Sequence, residues 1–193
     1  MNEYKFTQVD FNAPSVPFII EDMIKFLLVG KNYYKPFFRS ISFNGNEKIL
    51  DFGCGGGTGA KSIARLLKEG GSLTCIDTSE YWTDKARKRL KNFLNTKILC
   101  GDIRDADVPG NFYDMIFIMH VIHDIPPGDR RETIGALADK LNNLGRLYVI
   151  EPVRLSHGIA PEELESLMNN SGMKKMNSRL TKKEFYGEFQ IKR

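Results

Sequence analysis

Five glycines stand within nine residues in the segment DFGCGGGTG, which begins at Asp51 and ends at Gly59. Glycine lets a backbone turn tightly and approach a ligand without the obstruction of a Cβ atom. The apolar sequence KILDF runs into this segment and a helical pattern follows it, so free N–H groups at the start of that helix would face a bound molecule. Asp77 comes eighteen residues after Gly59, a spacing typical of a carboxylate that accepts hydrogen bonds from ribose hydroxyls. The loop is therefore predicted to bind a nucleotide-like ligand rather than to serve only as a turn.

Two kinds of nucleotide loop compete for this segment. The spacing Gly55-x-Gly57-x-x-Ala60 fits the loose dinucleotide fingerprint GxGxxA, which explains neither Asp51 nor the glycines directly after the strand. The pattern GxxxxGK[ST] is absent from the sequence, which excludes a P-loop. Residue types alone leave the dinucleotide alternative open at this point.

A second group of chemically active residues is HVIHD, with His120, His123 and Asp124. A histidine beside an acid can serve as a general base with a tuned pKa, and His120 and His123 are therefore candidate catalytic residues. The alternative is that they cap the strand end and shape a pocket without titrating. The spacing HxxHD also approaches a metal-binding pattern, but the sequence places no third ligand, so we expect no metal site.

Strand and helix patterns alternate five times from residue 48 onward. The runs that predict strands are 48–52, 73–77, 98–100, 113–119 and 146–150. This alternation predicts an α/β fold with a doubly wound, mostly parallel sheet and helices on both faces. Segments 174–179 and 185–191 are expected to pair as an antiparallel ribbon. Ligands of such sheets bind at the carboxyl ends of the strands, where the glycine loop and the HVIHD segment would lie.

Residues 1–45 are expected to form an N-terminal helical cap on a sheet domain that spans residues 46–193. Apolar residues recur at helical spacing from Val16 to Leu28, which predicts one continuous helical face. An aromatic segment follows, with Tyr33, Tyr34, Phe37 and Phe38. The cap is expected to close as a lid that excludes water, the alternative being a helix packed permanently on the sheet.

Composition predicts a globular protein of the cytoplasm. The 193 residues fit one α/β domain with a small appendage, and 41% hydrophobic with 27% charged residues excludes wholesale disorder. No apolar stretch approaches the roughly 20 residues of a membrane helix, and the start resembles no secretory signal. Three cysteines without CxxC spacing argue against a disulfide framework. With 28 basic and 24 acidic residues, the formal charge of +4 is too small to indicate a nucleic-acid partner by itself.

The sequence ILDFGCGGGTG resembles motif I of the class I S-adenosylmethionine-dependent methyltransferases, in which an apolar strand precedes D/E-x-G-x-G-x-G. Later segments resemble the family's following elements in order: CIDTSEYWTDKAR, GDIRD, FYDMIFIMHVIHDI and LGRLYVIEP. The resemblance covers residues 48 to roughly 191. It implies a Rossmann-like fold of seven strands with a C-terminal antiparallel strand, and S-adenosyl-L-methionine as the cofactor.

The resemblance also assigns roles to residues at the strand ends. Asp51 would lie near the cofactor's α-ammonium group, with water between them, where a dinucleotide pyrophosphate would be repelled. Asp77 would accept from both ribose hydroxyls, and Asp102 from the adenine amino group. The other expected cofactor contacts are Gly53, Cys54, Gly55, Gly57, Thr78, Ile103 beside the adenine ring and His120 near the reactive end.

The acceptor is predicted to be a small molecule that receives the methyl group on oxygen or nitrogen. Residues 124–128 (DIPPG) depart from the [N/D/S]-P-P-[Y/F/W] element of the family's exocyclic-amine enzymes, since Ile125 is inserted and Gly128 replaces the aromatic residue. Two alternatives stay open: an RNA or protein methyltransferase that uses the basic C-terminal face, and a non-catalytic cofactor-binding domain. No membrane partner is expected, and the protein is expected to be a monomer or a homodimer. The candidate acceptor contacts are Tyr33, Tyr34, Phe37 and Glu151.

Overall fold

The computed structural model describes residue 4, residue 6, residues 10–24 and residues 34–192, apart from the side chains of residues 18, 21 and 22. The chain divides into two compact units. The first unit is Asp10–Asp102, and the second is Ile103–Arg193 together with Met1–Val9. The division into a cap of residues 1–45 and a sheet domain stays a prediction, because residues 25–33 lie outside the described part of the chain.

Three parallel strands form the sheet of the first unit. In chain order its elements are α1 (Val16–Ile24), α2 (Lys35–Arg39), β1 (Lys48–Phe52), α3 (Thr58–Ala64), β2 (Ser72–Asp77), α4 (Glu80–Leu90) and β3 (Thr96–Cys100). β2 lies in the middle, with Asp51 of β1 opposite Cys75, and with Asp77 opposite Cys100 of β3. Because the strands are parallel, their carboxyl ends meet at one edge, which brings Asp51 and Asp77 to the same side of the sheet.

Gly57 allows the glycine loop to pack closely on α4. Its φ of 80° lies in the left-handed region that side chains rarely adopt. A Cβ atom at this position would lie 3.3 Å from Ala86 Cα, tighter than an ordinary van der Waals contact. Both the backbone conformation and the packing therefore require glycine here.

The N-terminal helix forms, but those of its apolar side chains that the structure describes lie outside the core. α1 covers Val16–Ile24, and its predicted continuation to Leu28 falls outside the described residues. Val16 is 67% exposed and Met23 is 51% exposed. The helical period predicts the conformation of this segment, whereas burial of the apolar face depends on what packs against it.

No helix among the described residues combines the length and the apolar character that crossing a bilayer requires.

The second unit contains the remaining strands. Its elements are β4 (Tyr113–Met119), a 3-10 turn (Ile122–Asp124), α5 (Arg130–Lys140), β5 (Leu141–Arg154), β6 (His157–Gly158), α6 (Pro161–Asn170), β7 (Met173–Leu180) and β8 (Glu184–Ile191). β4 runs parallel to β5, and β8 runs antiparallel to both β5 and β7. The predicted antiparallel ribbon is thus β7 and β8. β6 has two residues and pairs with β5, and the other seven described strands equal the predicted number.

We expect Gly57→Ala to lower the free energy of unfolding by about 1–3 kcal/mol, because alanine must adopt a left-handed backbone and crowd Ala86. Gly135→Ala is the matched comparison, since Gly135 lies within α5 and a Cβ atom there would meet nothing within 4 Å. It should raise the free energy of unfolding by about 0.5–1 kcal/mol. Urea denaturation of both variants measures the two effects. Equal effects of the two substitutions would contradict this account of Gly57.

Candidate functional site

The backbone of the glycine loop is fixed against the end of β2. Gly53 N–H and Cys54 N–H both donate to Ile76 O, at 2.8 and 3.1 Å. Gly53 and Gly55 have φ values of 66° and 49°, in the left-handed region that favours glycine. A Cβ atom on Gly55 would meet no described atom within 4 Å, in contrast to Gly57. Among the described residues, the backbone at Gly55 therefore borders open space that a ligand can enter.

Asp77 holds this loop and remains able to bind a ligand. Its Oδ2 accepts a hydrogen bond from Gly55 N–H at 2.8 Å, and its Oδ1 accepts one from Ser79 N–H at 3.0 Å. Burial raises the pKa of Asp77, and the two backbone hydrogen bonds oppose that shift. Each carboxylate oxygen has a further lone pair, so the side chain can still accept from two ribose hydroxyls.

Asp51 is a buried carboxylate with no donor among the described residues. Its side chain is 1% exposed, and neither Oδ1 nor Oδ2 has a hydrogen-bond partner in the part of the chain that the structure describes. Burial, and secondly the negative charge of Asp77, raise the pKa of Asp51 to about 8. Buried polar atoms are almost always hydrogen-bonded, and a charged one without a partner is costly. A ligand that brings positive charge and water-mediated donors, such as the α-ammonium group of S-adenosylmethionine, fits this position.

Asp102 and Thr78 lie at the ends of the neighbouring strands. Gly101 N–H donates to the Asp77 carbonyl at 3.0 Å, which places Asp102 just beyond the paired ends of β2 and β3. Thr78 is exposed, and its carbonyl oxygen accepts a contact from Cys100 Sγ at 3.7 Å. The predicted contacts of Asp102 with adenine and of Thr78 with the cofactor stay predictions.

Cys54 and Ile103 are both buried. A hydrogen bond with Cys75 and burial raise the pKa of the Cys54 thiol, which keeps the thiol protonated and unreactive. The predicted contact of Cys54 with the cofactor stays a prediction. Ile103 belongs to the second unit and is 1% exposed. Its place beside the adenine ring stays a prediction.

Two hydrogen bonds that stabilise the first unit could not be predicted from the sequence motifs. Arg89 on α4 donates from Nη1 to Gly56 O at 2.8 Å, 33 residues away in sequence. Ser79, the N-cap of α4, donates from Oγ to Phe11 O at 2.7 Å, 68 residues away. Neither pairing follows a period or a spacing rule, so sequence reasoning missed both.

Glu151, at the carboxyl end of β5 in the second unit, organises the segment after β4. The side chain is fully buried, and its Oε1 accepts from the N–H groups of Val121 and Ile122, each at 2.8 Å. Its Oε2 accepts from His123 N–H at 3.3 Å and lies 2.6 Å from His123 Nδ1. The structure thus gives Glu151 a positioning contact with His123, while its predicted contact with an acceptor stays a prediction.

His123 is held between carboxylates and a second histidine. It is 6% exposed, and its Nε2 lies 3.0 Å from His157 Nε2 and 3.4 Å from Asp124 Oδ2. Burial lowers the pKa of His123, but the hydrogen bond and charge of Glu151 and the charge of Asp124 outweigh it, so the net pKa lies above the usual range. Both ring nitrogens of His123 are thus engaged within the chain.

His120, the other candidate base, has an unusual backbone. Its φ of 61° is rare for a residue with a side chain, and strain of this kind concentrates at functional sites. The His120 Nε2 lies 3.0 Å from Glu184 Oε1, and Glu184 Oε2 accepts from the Tyr186 hydroxyl at 2.5 Å. Sequence reasoning placed His120 at a strand end but missed Glu184 and Tyr186, which come from β8.

The aromatic residues near the N-terminus are partly placed. Tyr33 lies outside the described residues. Phe37 and Phe38 of α2 are 8% and 6% exposed, with ring centroids 5.5 Å apart, and the Tyr34 ring lies 6.2 Å from that of Phe38. These contacts account for the packing of α2, and the role of Tyr34 and Phe37 toward an acceptor stays a prediction.

Residues 49–145, half of the chain, match the family model described as a methyltransferase domain. That span contains the glycine loop, Asp77, Asp102 and the HVIHD segment. The chain belongs to the methyltransferase domain family. The resemblance to class I methyltransferases is thereby confirmed, together with the enzyme type and with S-adenosylmethionine as the cofactor of this methyltransferase domain.

Two curated relatives share part of the domain. A carboxy-S-adenosyl-L-methionine synthase from Shewanella sp. (strain ANA-3) is 25% identical over 126 residues, which cover 63% of this chain and 51% of that protein. The mitochondrial ubiquinone biosynthesis O-methyltransferase of Schizosaccharomyces pombe is 32% identical over 116 residues, 58% of this chain and 40% of that protein. The methyltransferase domain thus spans about half the length of the curated relatives it matches.

The fold agrees with that of solved methyltransferases. A SAM-dependent methyltransferase from Aquifex aeolicus aligns with a TM-score of 0.72 and 18% sequence identity, covering 93% of this chain and all of that one. At this identity the likeness concerns the fold alone. It confirms the predicted Rossmann-like, mostly parallel α/β class with a C-terminal antiparallel strand.

Asp51→Asn is expected to stabilise the ligand-free protein, by a margin that widens from pH 5 to pH 8. The pKa of Asp51 is raised from 3.8 to about 8, so the folded state holds this proton more tightly than the unfolded state. Stability is therefore lost as the pH rises between these two values, and asparagine removes that loss. Thermal melts across this range measure the margin. Asp84→Asn, at an exposed carboxylate, is the control, and a pH-independent margin for Asp51→Asn would contradict the assignment.

Asp77→Ala should weaken binding of S-adenosylmethionine about 10- to 100-fold, since hydrogen bonds to a charged acceptor contribute about 1.5–3 kcal/mol. Asp84→Ala removes the same charge from an exposed position of α4 and should leave the affinity unchanged. Titration calorimetry of both variants, with NAD as a second ligand, makes the comparison. Unchanged affinity in Asp77→Ala would remove this residue from the cofactor site.

Proposed function

We propose that this methyltransferase domain transfers the methyl group of S-adenosylmethionine to an oxygen or nitrogen atom of a small-molecule acceptor. The observation that carries the proposal is His120, with its φ of 61° and its Nε2 at 3.0 Å from the Glu184 carboxylate. A strained histidine beside a carboxylate is suited to take a proton during catalysis. A hydroxyl acceptor must lose such a proton when it is methylated.

The residues of the first unit suit the cofactor. S-adenosylmethionine supplies a methyl group already activated on a sulfonium ion, so the protein must align the acceptor, exclude water and remove a proton. Asp51 would bind the α-ammonium group through water, the Gly55 backbone would border the methionine part, and Asp77 would accept from the ribose. For this placement of the cofactor the main support is Asp51, because a buried carboxylate with no donor among the described residues needs a ligand that supplies one.

Glu184 prepares His120 for proton transfer. When His120 Nε2–H donates to Glu184, the neutral ring carries its lone pair on Nδ1, which is the atom that would accept the proton. The negative charge of Glu184 then stabilises the imidazolium that forms. Burial and the hydrogen bond to Glu184 raise the pKa of Tyr186 to about 12, so Tyr186 keeps its proton and continues to donate to this carboxylate.

Two observations favour a small molecule over a macromolecular acceptor. The relative from Schizosaccharomyces pombe, 32% identical, is an O-methyltransferase of ubiquinone biosynthesis by name. The basic C-terminal face is partly engaged within the chain, since Lys175 Nζ lies 2.6 Å from Glu165 and the Arg179 guanidinium lies 4.3 Å from the Tyr186 ring. Such contacts are typical of a solvated face rather than of a nucleic-acid footprint.

His120→Asn is expected to lower kcat/KM about 100-fold or more, because general base catalysis contributes about 10²- to 10⁴-fold. Asparagine tolerates the left-handed backbone, so the fold should be preserved. Glu184→Gln should cause a smaller loss, and Glu165→Gln at an exposed glutamate should cause none. The assay measures S-adenosylhomocysteine release and methylated product by mass spectrometry, with pools of hydroxylated and amino metabolites, and with tRNA in a parallel arm.

Each alternative gives its own result in this assay. Transfer to tRNA or to protein alone would overturn the small-molecule acceptor. Cofactor binding without transfer to any acceptor would indicate a binding domain. A carboxylated derivative of S-adenosylmethionine, formed only where the metabolite pool supplies a carboxyl donor, would match the activity named for the Shewanella relative and overturn methyl transfer. A fully active His120→Asn variant would exclude this histidine as the base.

A further inference from the structure

Three metal-ligating side chains converge in the second unit outside the His120–Glu184 pair. They are His123 and Asp124 of the 3-10 turn and His157 of β6. One donor atom from each lies within 4.8 Å of the others. The sequence pattern HxxHD supplied two of these ligands and predicted no metal, because His157 lies 34 residues beyond His123 and no spacing rule connects them.

Two of the three donor-atom separations are close to those around a small divalent ion, and the third is at most 4.8 Å. His123 Nε2 lies 3.0 Å from His157 Nε2 and 3.4 Å from Asp124 Oδ2. Bonds of about 2.0–2.1 Å from a tetrahedral zinc ion would place its ligand atoms about 3.3 Å apart. The donor atoms of His157 and Asp124, within 4.8 Å of each other, would have to approach to about 3.3 Å for all three side chains to share one ion. The same 3.0 Å contact also allows a simple hydrogen bond between the two imidazoles, which is the competing interpretation.

A separate contact, on the other ring nitrogen, orients His123 so that Nε2 faces His157 and Asp124. His123 Nδ1 lies 2.6 Å from the fully buried Glu151 carboxylate, which fixes Nδ1–H as a donor. The lone pair of the neutral ring is then on Nε2, toward His157 and Asp124. Histidines that bind metals almost always donate their other ring N–H to a carboxylate or carbonyl in this way. The contact between Glu151 and His123 is the outer hydrogen bond that metal-binding histidines make in addition to their bond to the metal.

The backbone around the cluster is held from several sides. Glu151 also accepts the N–H groups of Val121 and Ile122, and Arg130 donates from Nη2 to His123 O at 3.1 Å. His157 follows a tight antiparallel return from β5 to β6, in which a Cβ atom on Gly158 would lie 2.4 Å from a backbone oxygen. Ligands on such a fixed backbone are already ordered before an ion binds.

We propose that His123 Nε2, His157 Nε2 and Asp124 Oδ2 bind one divalent transition-metal ion of the zinc class. Two imidazoles and one carboxylate suit zinc, cobalt, nickel or ferrous iron, whereas magnesium and calcium prefer oxygen ligands throughout. His123 is buried and His157 is exposed, so the ion would be reached from the His157 side, with a coordination position left for water or an oxygen ligand. The proposal does not rest on the proposed methyl transfer.

The test is a titration of the full chain, without a polyhistidine tag, with cobalt(II) followed by visible absorption and with zinc(II) followed by calorimetry. We expect one ion per chain and a visible absorption band of cobalt(II) in a coordination environment of low symmetry. His157→Ala and Asp124→Asn should each weaken binding at least about 10-fold, the range that losses around metal sites produce. His157 is exposed and Asp124 is partly buried, so both variants should fold, which thermal melting checks.

His120→Asn is the matched control, because it removes the chain's third histidine from a position paired with Glu184, and it should retain the metal. Absence of binding to the parent chain would overturn the proposal and leave a hydrogen-bonded imidazole pair. Equal loss in His120→Asn would overturn the assignment to this cluster. A cobalt–thiolate absorption band that disappears on alkylation would assign the ion to the cysteines instead.

Discussion

A carboxylate that is shut away from water must either receive hydrogen-bond donors or give up its charge. Both units of this chain place such a group at a strand, and they resolve the constraint in opposite ways. Glu151 is surrounded by three backbone N–H groups and one imidazole nitrogen, so it fixes the segment after β4. Asp51 receives no donor from the described residues, and its pKa rises to about 8. The hydrogen bonds to Glu151 hold the segment after β4 in place. Asp51, by contrast, can accept hydrogen bonds that a bound cofactor supplies.

The contacts of Glu151 stabilise the fold, whereas those available to Asp51 concern the proposed binding of a ligand. Glu151 contributes to the folded state at all times, because its partners belong to the chain. Asp51 is unfavourable in the ligand-free state, and this cost is recovered only when donors arrive from outside. Asp77 lies between these cases, since it holds the Gly55 and Ser79 N–H groups and keeps further lone pairs for a ligand.

The sequence predicts those parts of the fold and site that depend on local rules. Left-handed backbone at Gly53, Gly55 and Gly57 demands glycine, so the loop is visible as a motif, and strand periods locate the acids near the carboxyl ends of the strands. The burial of α1 could not be predicted, because helical period fixes a face and not what packs on it. Glu184, Arg89 and His157 were missed for a related reason. Each acts through a partner more than thirty residues away, which only the tertiary fold brings into contact.

The left-handed backbone of His120 limits which residues can replace this histidine during evolution. Few residues with a side chain tolerate a φ of 61°, and asparagine and aspartate are the most tolerant after glycine. Both are a single nucleotide away from a histidine codon, whereas the β-branched residues are excluded by sterics. An amide or a carboxylate is therefore the replacement for the imidazole that this backbone accepts most readily.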